Sequence, residues 1–370
     1  MSEMISDFAS VLTPSIKDDR NVVSKRELQK FIEDTYFNGK VENVMLGTTV
    51  TRYDILVPPR SIPYFLRLER QFNAHFDTND CRMFQNGKYV CLEVPNKYRG
   101  TYGMKECYSA LQESENNNGL LISIGEGLDG KCILYDLTQM PHLLVAGQTG
   151  SGKSIFLHEV ILSLIMQYSE ERLNLVLIDP KKVEFEFYRG VPCVREIIST
   201  PERASEKINS LCDEMDSRYK MFSEFSVRDF ESFNQKAQVK LPRIVLIIEE
   251  LSDLAISSKD DVIKSIQRLL YKARACGIHV IISTQRPDSD FMSGKIKSNF
   301  QCRAVFSMAS RWDSRVALNK YGAEKLKGNG DGIFRTNNGQ SNIRFQAPYV
   351  HEKEINDVVS ILCKQKRGCI

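Results

Sequence analysis

The chain has 370 residues, 42% of them hydrophobic and 26% charged, a balance that suits a globular protein of about two domains and gives no sign of disorder. Its formal net charge of +3 is too small to identify a polyanionic partner, so charge has to be read locally. The longest apolar run, Ile155 to Met166, is broken by His158 and Glu159 and falls short of the ~20 residues that span a bilayer. The N-terminus, MSEMISDF, lacks the basic start and apolar core of a secretory signal. The expectation is a cytoplasmic protein with no membrane partner. Ten cysteines without a Cys-x-x-Cys spacing read as reduced, buried thiols and not as a metal site.

In chain order, 1–24 reads as a tail and 25–110 as a small α+β domain. RELQKFIEDTYF has helical periodicity, whereas VENVMLGTTVTRYDILVPP and GKYVCLEVP alternate as strands do. The polar stretch at 111–119, which includes QESENNNG, reads as an exposed linker or loop. From 120 to 370 the apolar strand runs LNLVLID, RIVLIIEE and GIHVIISTQ alternate with the helical runs SIFLHEVILSLIMQY and VIKSIQRLLYKARA. Near-continuous apolar strands followed by helices indicate an α/β domain whose parallel sheet is covered on both faces. DGIFRTNNGQSNIRFQ holds an Asn-Gly turn between two strands and reads as a hairpin, and a last helix is expected from about Glu352 to Lys366.

The segment Gly147-Gln148-Thr149-Gly150-Ser151-Gly152-Lys153-Ser154 fits G-x-x-x-x-G-K-[ST], with the apolar strand HLLVA before it and a helix after it. That is the context a P-loop requires. The three glycines let backbone N–H groups turn toward phosphate oxygens, and the helix adds its positive N-terminal end. Lys153 would reach the β- and γ-phosphates of ATP, and the Ser154 hydroxyl would bind Mg²⁺.

In RIVLIIEELSDL, Glu249 and Glu250 follow an apolar strand. This suits a Walker B carboxylate that holds the water shell of Mg²⁺, followed by a catalytic carboxylate that orients the attacking water. Acidic residues also end buried strands merely because the chain meets solvent there. Their place downstream of the P-loop is what favours the catalytic reading. A third strand, HVIIST, ends at Gln285, which fits a γ-phosphate sensor and, on pattern alone, fits a strand cap equally well. Between Lys295 and Lys327 the bases Lys295, Lys297, Arg303, Arg311, Arg315, Lys320, Lys325 and Lys327 face only Asp313 and Glu324. Such a strip suits phosphate oxygens, and a solvated charged face is the alternative for any one of its members.

Taken together, MPHLLVAGQTGSGKS, VTRYDI, CLEVPNK, LIDPKKVEFEFYRGVP, RLLYKARACGIHVIISTQRP and the run from GKIKSNFQCRAVFSMASRWDSR to GNGDGIF resemble the motor region of FtsK/SpoIIIE DNA translocases, over about residues 25 to 366. TQRP with the downstream D-S-R, and IDPK, separate the chain from ABC, kinase and GTPase relatives. The resemblance implies a small domain stacked on a RecA-like, additional-strand ATPase domain, a homohexameric ring around double-stranded DNA, and stepping driven by ATP. It assigns an arginine finger, supplied to the next subunit, to Arg274, with Arg303 in reserve. It also assigns DNA contacts to Arg286, Lys297, Arg311 and Arg315. For Arg274 the alternative is a solvated residue on an amphipathic helix. One departure is Glu249, where the family usually has Asp; the longer arm bears on catalytic positioning. Two other functions stay open, an FtsK-like ATPase that moves proteins, as in type VII secretion, and a DNA-binding nucleotide switch that does not translocate. The stretch after Ala347 is long enough for one helix only, so no sequence-reading domain is expected there and DNA contact is expected to be indifferent to base sequence. The biological task, whether chromosome, plasmid, transposon or phage transfer, is not encoded in these motifs.

Overall fold

The computed structural model describes residues 8–16, 23–35, 37–77, 81–97, 100–114, 119–139, 141–285, 287, 299–336 and 342–368. The chain forms two sheets, one of four strands and one of ten. Helix α1 (Lys25–Asp34) starts at a capping box in which the Ser24 hydroxyl accepts from the Glu27 N–H and the Glu27 carboxylate accepts from the Ser24 N–H. Its Leu28 and Ile32, one turn apart, pack on β1 (Lys40–Leu46), β2 (Val50–Leu56) and the short helix α2 (Glu69–His75) through Val41, Tyr53, Ile55 and Phe72. Strands β3 (Arg82–Asn86) and β4 (Tyr89–Pro95) complete an antiparallel sheet of order β1-β2-β4-β3.

Helix α3 (Met104–Glu113) buries Met104, Cys107, Tyr108 and Leu111 in the core of the larger sheet, together with Phe8 and Leu12. The division drawn at residue 110 from polarity thus falls inside a helix. Residues 111–113 are its last turn, because Leu111 belongs to the apolar stripe and carries the helix past Gln112. The rest of that polar stretch, 115–118, lies outside the described residues.

The larger sheet comprises β5 (Leu121–Gly127), β6 (Cys132–Asp136), β7 (His142–Ala146), β8 (Leu173–Ile178), β9 (Val194–Ile198), β10 (Arg243–Ile248), β11 (Ile278–Thr284), β12 (Cys302–Phe306), β13 (Asp331–Arg335) and β14 (Asn342–Gln346). Their order is β6-β5-β14-β13-β12-β7-β11-β10-β8-β9. The run from β12 to β9 is parallel, and the β13–β14 hairpin and the β5–β6 pair extend it antiparallel. The Asn-Gly turn of that hairpin lies outside the described residues. Both faces are covered. Val245 and Ile247 of β10 face α4 (Lys153–Ile165) and the final helix, and Ile244, Leu246 and Ile248 face α5 (Pro201–Glu224), α6 (Phe230–Lys236) and α7 (Leu251–Lys272). Burial on both sides is why these strands read as unbroken apolar runs. The chain continues through α8 (Arg311–Leu318) and α9 (Glu352–Gly368). Among the described residues no helix is long and apolar enough to cross a membrane.

Two histidines are built into this sheet in neutral form. The Nδ1 of His142 in β7 accepts from the Val280 N–H at 3.2 Å, so it carries no proton. Nδ1 of the neighbouring His279 lies 3.2 Å from the Pro141 carbonyl. Burial, then the charge of the other imidazole, pushes His142 down to about 3. Burial, then Arg243, pushes His279 down to about 4. The unfolded chain therefore binds more protons than the folded one once pH falls below the ordinary histidine value near 6.5. The contribution of these two histidines to stability is expected to be flat above that pH and to fall below it by up to ~1.4 kcal/mol per pH unit for each histidine. Urea midpoints between pH 8 and pH 5 test this, and the double variant His142→Asn, His279→Asn should lose most of the slope below pH 6.5.

Candidate functional site

In the parallel sheet all strands end on one edge, and ligands bind where connections leave such an edge in opposite directions. Here β11 stands between β7, which leads into the P-loop, and β10, which leads directly into Glu249. The loop after β7 is pinned to both neighbours. Gly147 N–H donates to the Thr284 carbonyl at 3.2 Å and Gln148 N–H to the Ser307 carbonyl at 2.9 Å. Gly150 and Gly152 have φ of +76° and +102°, the left-handed region that glycine adopts without strain. At Gly150 a Cβ would meet nothing within 4 Å and would project into open space; at Gly152 it would lie 2.4 Å from the backbone nitrogen of Gly330. That nitrogen donates to the Ser151 carbonyl at 2.9 Å, so the glycine-rich turn 328–330 backs the cradle. The first N–H groups of α4 have no carbonyl one turn earlier to receive them and are left to face a ligand.

Lys153 is only 4% exposed. Its ammonium donates to the Ser283 hydroxyl at 2.8 Å and lies 3.8 Å from Glu249 Oε1 and 4.0 Å from Glu250 Oε2. Burial lowers the lysine and raises Glu249, and in each case the charge of the other restrains the shift. Glu249 Oε2 is buried with no hydrogen-bond partner among the described residues. Such an atom is costly unless something occupies it, and an acceptor oxygen beside Ser154 and Lys153 fits the water shell of a divalent cation. Glu250 caps α7, accepting from the Ser252 hydroxyl at 2.9 Å and from the Gln285 N–H at 3.1 Å. The Gln285 side chain in turn accepts from the Thr149 hydroxyl at 2.9 Å. The tip of β11 thereby ties the second carboxylate to the P-loop.

Thr149, Lys153, Ser154, Glu249 and Gln285 line a cavity of about 820 Å³ whose wall also includes Pro14, Ile16, Thr49, Tyr102, Tyr349 and His351. Several contributors had no motif to mark them. Glu184 follows β8 and is held below the usual carboxylate range first by its hydrogen bond from His158, with Ser154 and Lys153 adding to it. His158 Nε2 is 3.2 Å from Glu184, and its Nδ1 is 2.8 Å from the Tyr188 hydroxyl. The IDPK run carried a faint signal for this loop in the resemblance alone. Gln346 donates to the Asn329 carbonyl at 2.8 Å and faces the Thr49 hydroxyl at 3.2 Å, joining the small sheet to the cradle.

Arg274 lies elsewhere. It is exposed in the turn Ala273–Cys276 that precedes β11, at the opposite end of that strand from Gln285. A strand of seven residues spans about 20 Å, so Arg274 does not enter the phosphate site of its own chain. Arg303 is buried, with its guanidinium on the carbonyls of Phe300 at 2.9 Å and Ala317 at 2.6 Å, and burial pushes it down to about 10. It braces the segments around β12. Arg311 and Arg315 are exposed on α8, with guanidinium carbons 4.8 and 5.9 Å from the Tyr321 ring centre. Trp312, 68% exposed, stands beside them. Arg286 and Lys297 lie outside the described residues.

Fold and site together define a P-loop NTPase of the additional-strand, RecA-like class. The FtsK/SpoIIIE family profile matches residues 104–240 and 235–289. DNA translocase FtsK of Clostridium tetani is 34% identical over 377 residues, covering 99% of this chain and 51% of the relative. DNA translocase SpoIIIE of Bacillus subtilis is 33% identical over 367 residues, covering 95% and 47%. The chain belongs to the FtsK/SpoIIIE family, and it spans about half the length of these curated relatives. Among solved structures, the monomer form of the pCW3 conjugation coupling protein TcpA with ATPγS superposes with a TM-score of 0.64 at 23% identity, over 93% of this chain and 99% of that one. The cytoplasmic domain of the Thermomonospora curvata type VII secretion ATPase EccC gives 0.60 at 26% identity, over 68% and 32%.

The close approach of Gly152 to Gly330 makes a test of the cradle. Gly152→Ala is expected to weaken nucleotide binding at least ~10-fold, equivalent to ~1.4 kcal/mol, with unchanged circular dichroism. A fluorescent-nucleotide titration measures it.

Proposed function

We propose that this chain binds and hydrolyses ATP with Mg²⁺ and uses the energy to move along double-stranded DNA as a ring of identical subunits, a hexamer. The observation that carries the hydrolytic part is the meeting of Lys153, Glu249 and Gln285 on the wall of one cavity, with Glu250 beside them, 4.0 Å from Lys153 and accepting from the Gln285 N–H at 3.1 Å. Lys153, with the N–H groups that open α4, holds the phosphates, and Ser154 and Glu249 are the residues that would hold Mg²⁺. When bound, the ion neutralises charge on the β- and γ-oxygens. Glu250, fixed by Ser252 and Gln285, orients the attacking water and accepts its proton. The one-methylene excess of Glu249 over Asp is accommodated in a pocket where Lys153 meets its first oxygen.

Movement of DNA is supported by the relatives, named DNA translocases, that are 33–34% identical over 95–99% of the chain. A protein-moving role rests on the EccC likeness, which covers 68% of the chain, and ranks second. The exposed cations Arg311 and Arg315, flanked by Trp312 and Tyr321, supply a face that suits phosphates and sugar edges. Arg274, at the edge of the sheet away from its own cavity, is available to a neighbouring subunit, where an arginine neutralises charge on the transferred phosphoryl group.

The deciding experiment is an ATPase assay with and without linear duplex DNA. Strong stimulation is expected, and its absence would favour the switch or the protein-moving reading. Glu250→Gln should bind ATP but hydrolyse it at least ~100-fold more slowly. Mixing it with Arg274→Ala subunits should recover activity above the sum of the two, because some interfaces then hold both intact groups.

A second measurement reads the DNA face. Arg311→Ala with Arg315→Ala should lower duplex affinity equally for unrelated sequences and reduce the slope of log affinity against log salt by about two. An unchanged slope would remove both residues from the DNA contact.

A further inference from the structure

We propose that Lys181 distinguishes a nucleoside triphosphate from a diphosphate, exchanging its ion pair with Asp253 for the terminal phosphate. The proposal rests on the reading of the P-loop as an ATP site. It starts from the loop that follows β8. Buried Asp179 folds that loop back on itself, its carboxylate accepting from the N–H groups of Lys181 at 3.1 Å, Glu184 at 2.8 Å and Phe185 at 3.1 Å. Lys182 sits at φ +59°, a left-handed conformation that a side chain resists and that concentrates at functional positions. The result is a strained, tightly tethered turn that places Lys181 and Glu184 on the wall of the nucleotide cavity.

Charge locates Lys181 at the terminal-phosphate end. Its ammonium acts on both Lys153 and Glu249, the two groups that meet where the β- and γ-phosphates would be gripped. Its partner is a weak one. Nζ lies 3.8 Å from Asp253 Oδ2, with the two side chains 47% and 39% exposed, and ion pairs so open to solvent contribute little. A γ-phosphate, carrying more charge inside a half-enclosed cavity, outcompetes a single carboxylate in water. ADP offers no such group. Asp253 stands in the first turn of α7, three residues after the Glu250 cap, so the exchange acts on the helix that carries the catalytic carboxylate.

The test uses the whole chain with Mg²⁺, titrated with ATPγS and with ADP. Lys181→Gln is expected to weaken ATPγS at least tenfold while leaving ADP within twofold, and Lys181→Arg should restore most of the discrimination. Asp253→Asn should tighten ATPγS, since the competing carboxylate is gone. Loss of both nucleotides alike, or loss of neither, would overturn the proposal. Lys153→Ala run in parallel separates the two readings: if it binds both nucleotides normally, the P-loop assignment fails and this proposal with it, whereas normal dependence on Lys153 beside a neutral Lys181→Gln removes this proposal alone.

Discussion

Lys153 carries its ammonium into a site where almost no solvent reaches it, and the neighbouring architecture follows from holding that charge. A buried cation persists only with partners. Here the partners come from two different strands, Ser283 from β11 and Glu249 and Glu250 from the end of β10, facing the helix that β7 feeds. No one segment could supply them. The parallel stacking β7-β11-β10 brings three strand tips to one edge, and that edge concentrates fixed charge where a polyphosphate would add its own.

The same cradle is tied to the small sheet through buried ionic contacts. Arg344 in β14 makes two hydrogen bonds to Asp331, at 2.8 and 2.7 Å, and a third to Glu93 in β4. Burial would lower the arginine, but Asp331 and then Glu93 overcome it and raise the group above its ordinary value. Asp331 also accepts from the Lys327 N–H at 3.0 Å, fixing the glycine-rich turn that presses on Gly152. Buried pairs of this kind contribute little net stability but set geometry strictly, since breaking one strands a charge. The small domain is thereby connected to the phosphate loop by hydrogen bonds with defined directions, through Glu93 and Asp331 and through Thr49 and Gln346.

At the other edge of the sheet, Arg274 projects from the turn before β11 while Gln285 ends the same strand inside the cavity. Strand and helix α7 are rigid elements that run the width of the domain. The phosphate site and the exposed arginine therefore lie at opposite ends of one strand.

Much of the fold was legible in the sequence because it depends on local rules. Unbroken apolar runs such as RIVLII mark strands buried on both faces, and the glycines at 150 and 152 mark a turn whose backbone few other residues adopt. The P-loop and the carboxylates Glu249 and Glu250 were visible for the same reason, since each sits where a strand ends. The polar run after Leu111 misled the eye, because helix α3 is held by its stripe of Met104, Cys107, Tyr108 and Leu111 against a core formed by distant strands. Glu184 and His158 carried no motif of their own, and Lys181 was marked only as the last residue of IDPK, with no role attached. What sets Lys181 and Glu184 on the cavity wall, with His158 against Glu184, is the Asp179 turn and the contact between the P-loop helix and the loop after β8. The placement of Arg303 was likewise decided by tertiary structure, which spends its guanidinium on two carbonyls. Sequence alone determined which segments are strands, helices and phosphate loop, since these follow from periodicity and backbone freedom. Only the folded sheet decided which charges meet, because that depends on strand order and register, which a linear pattern does not contain.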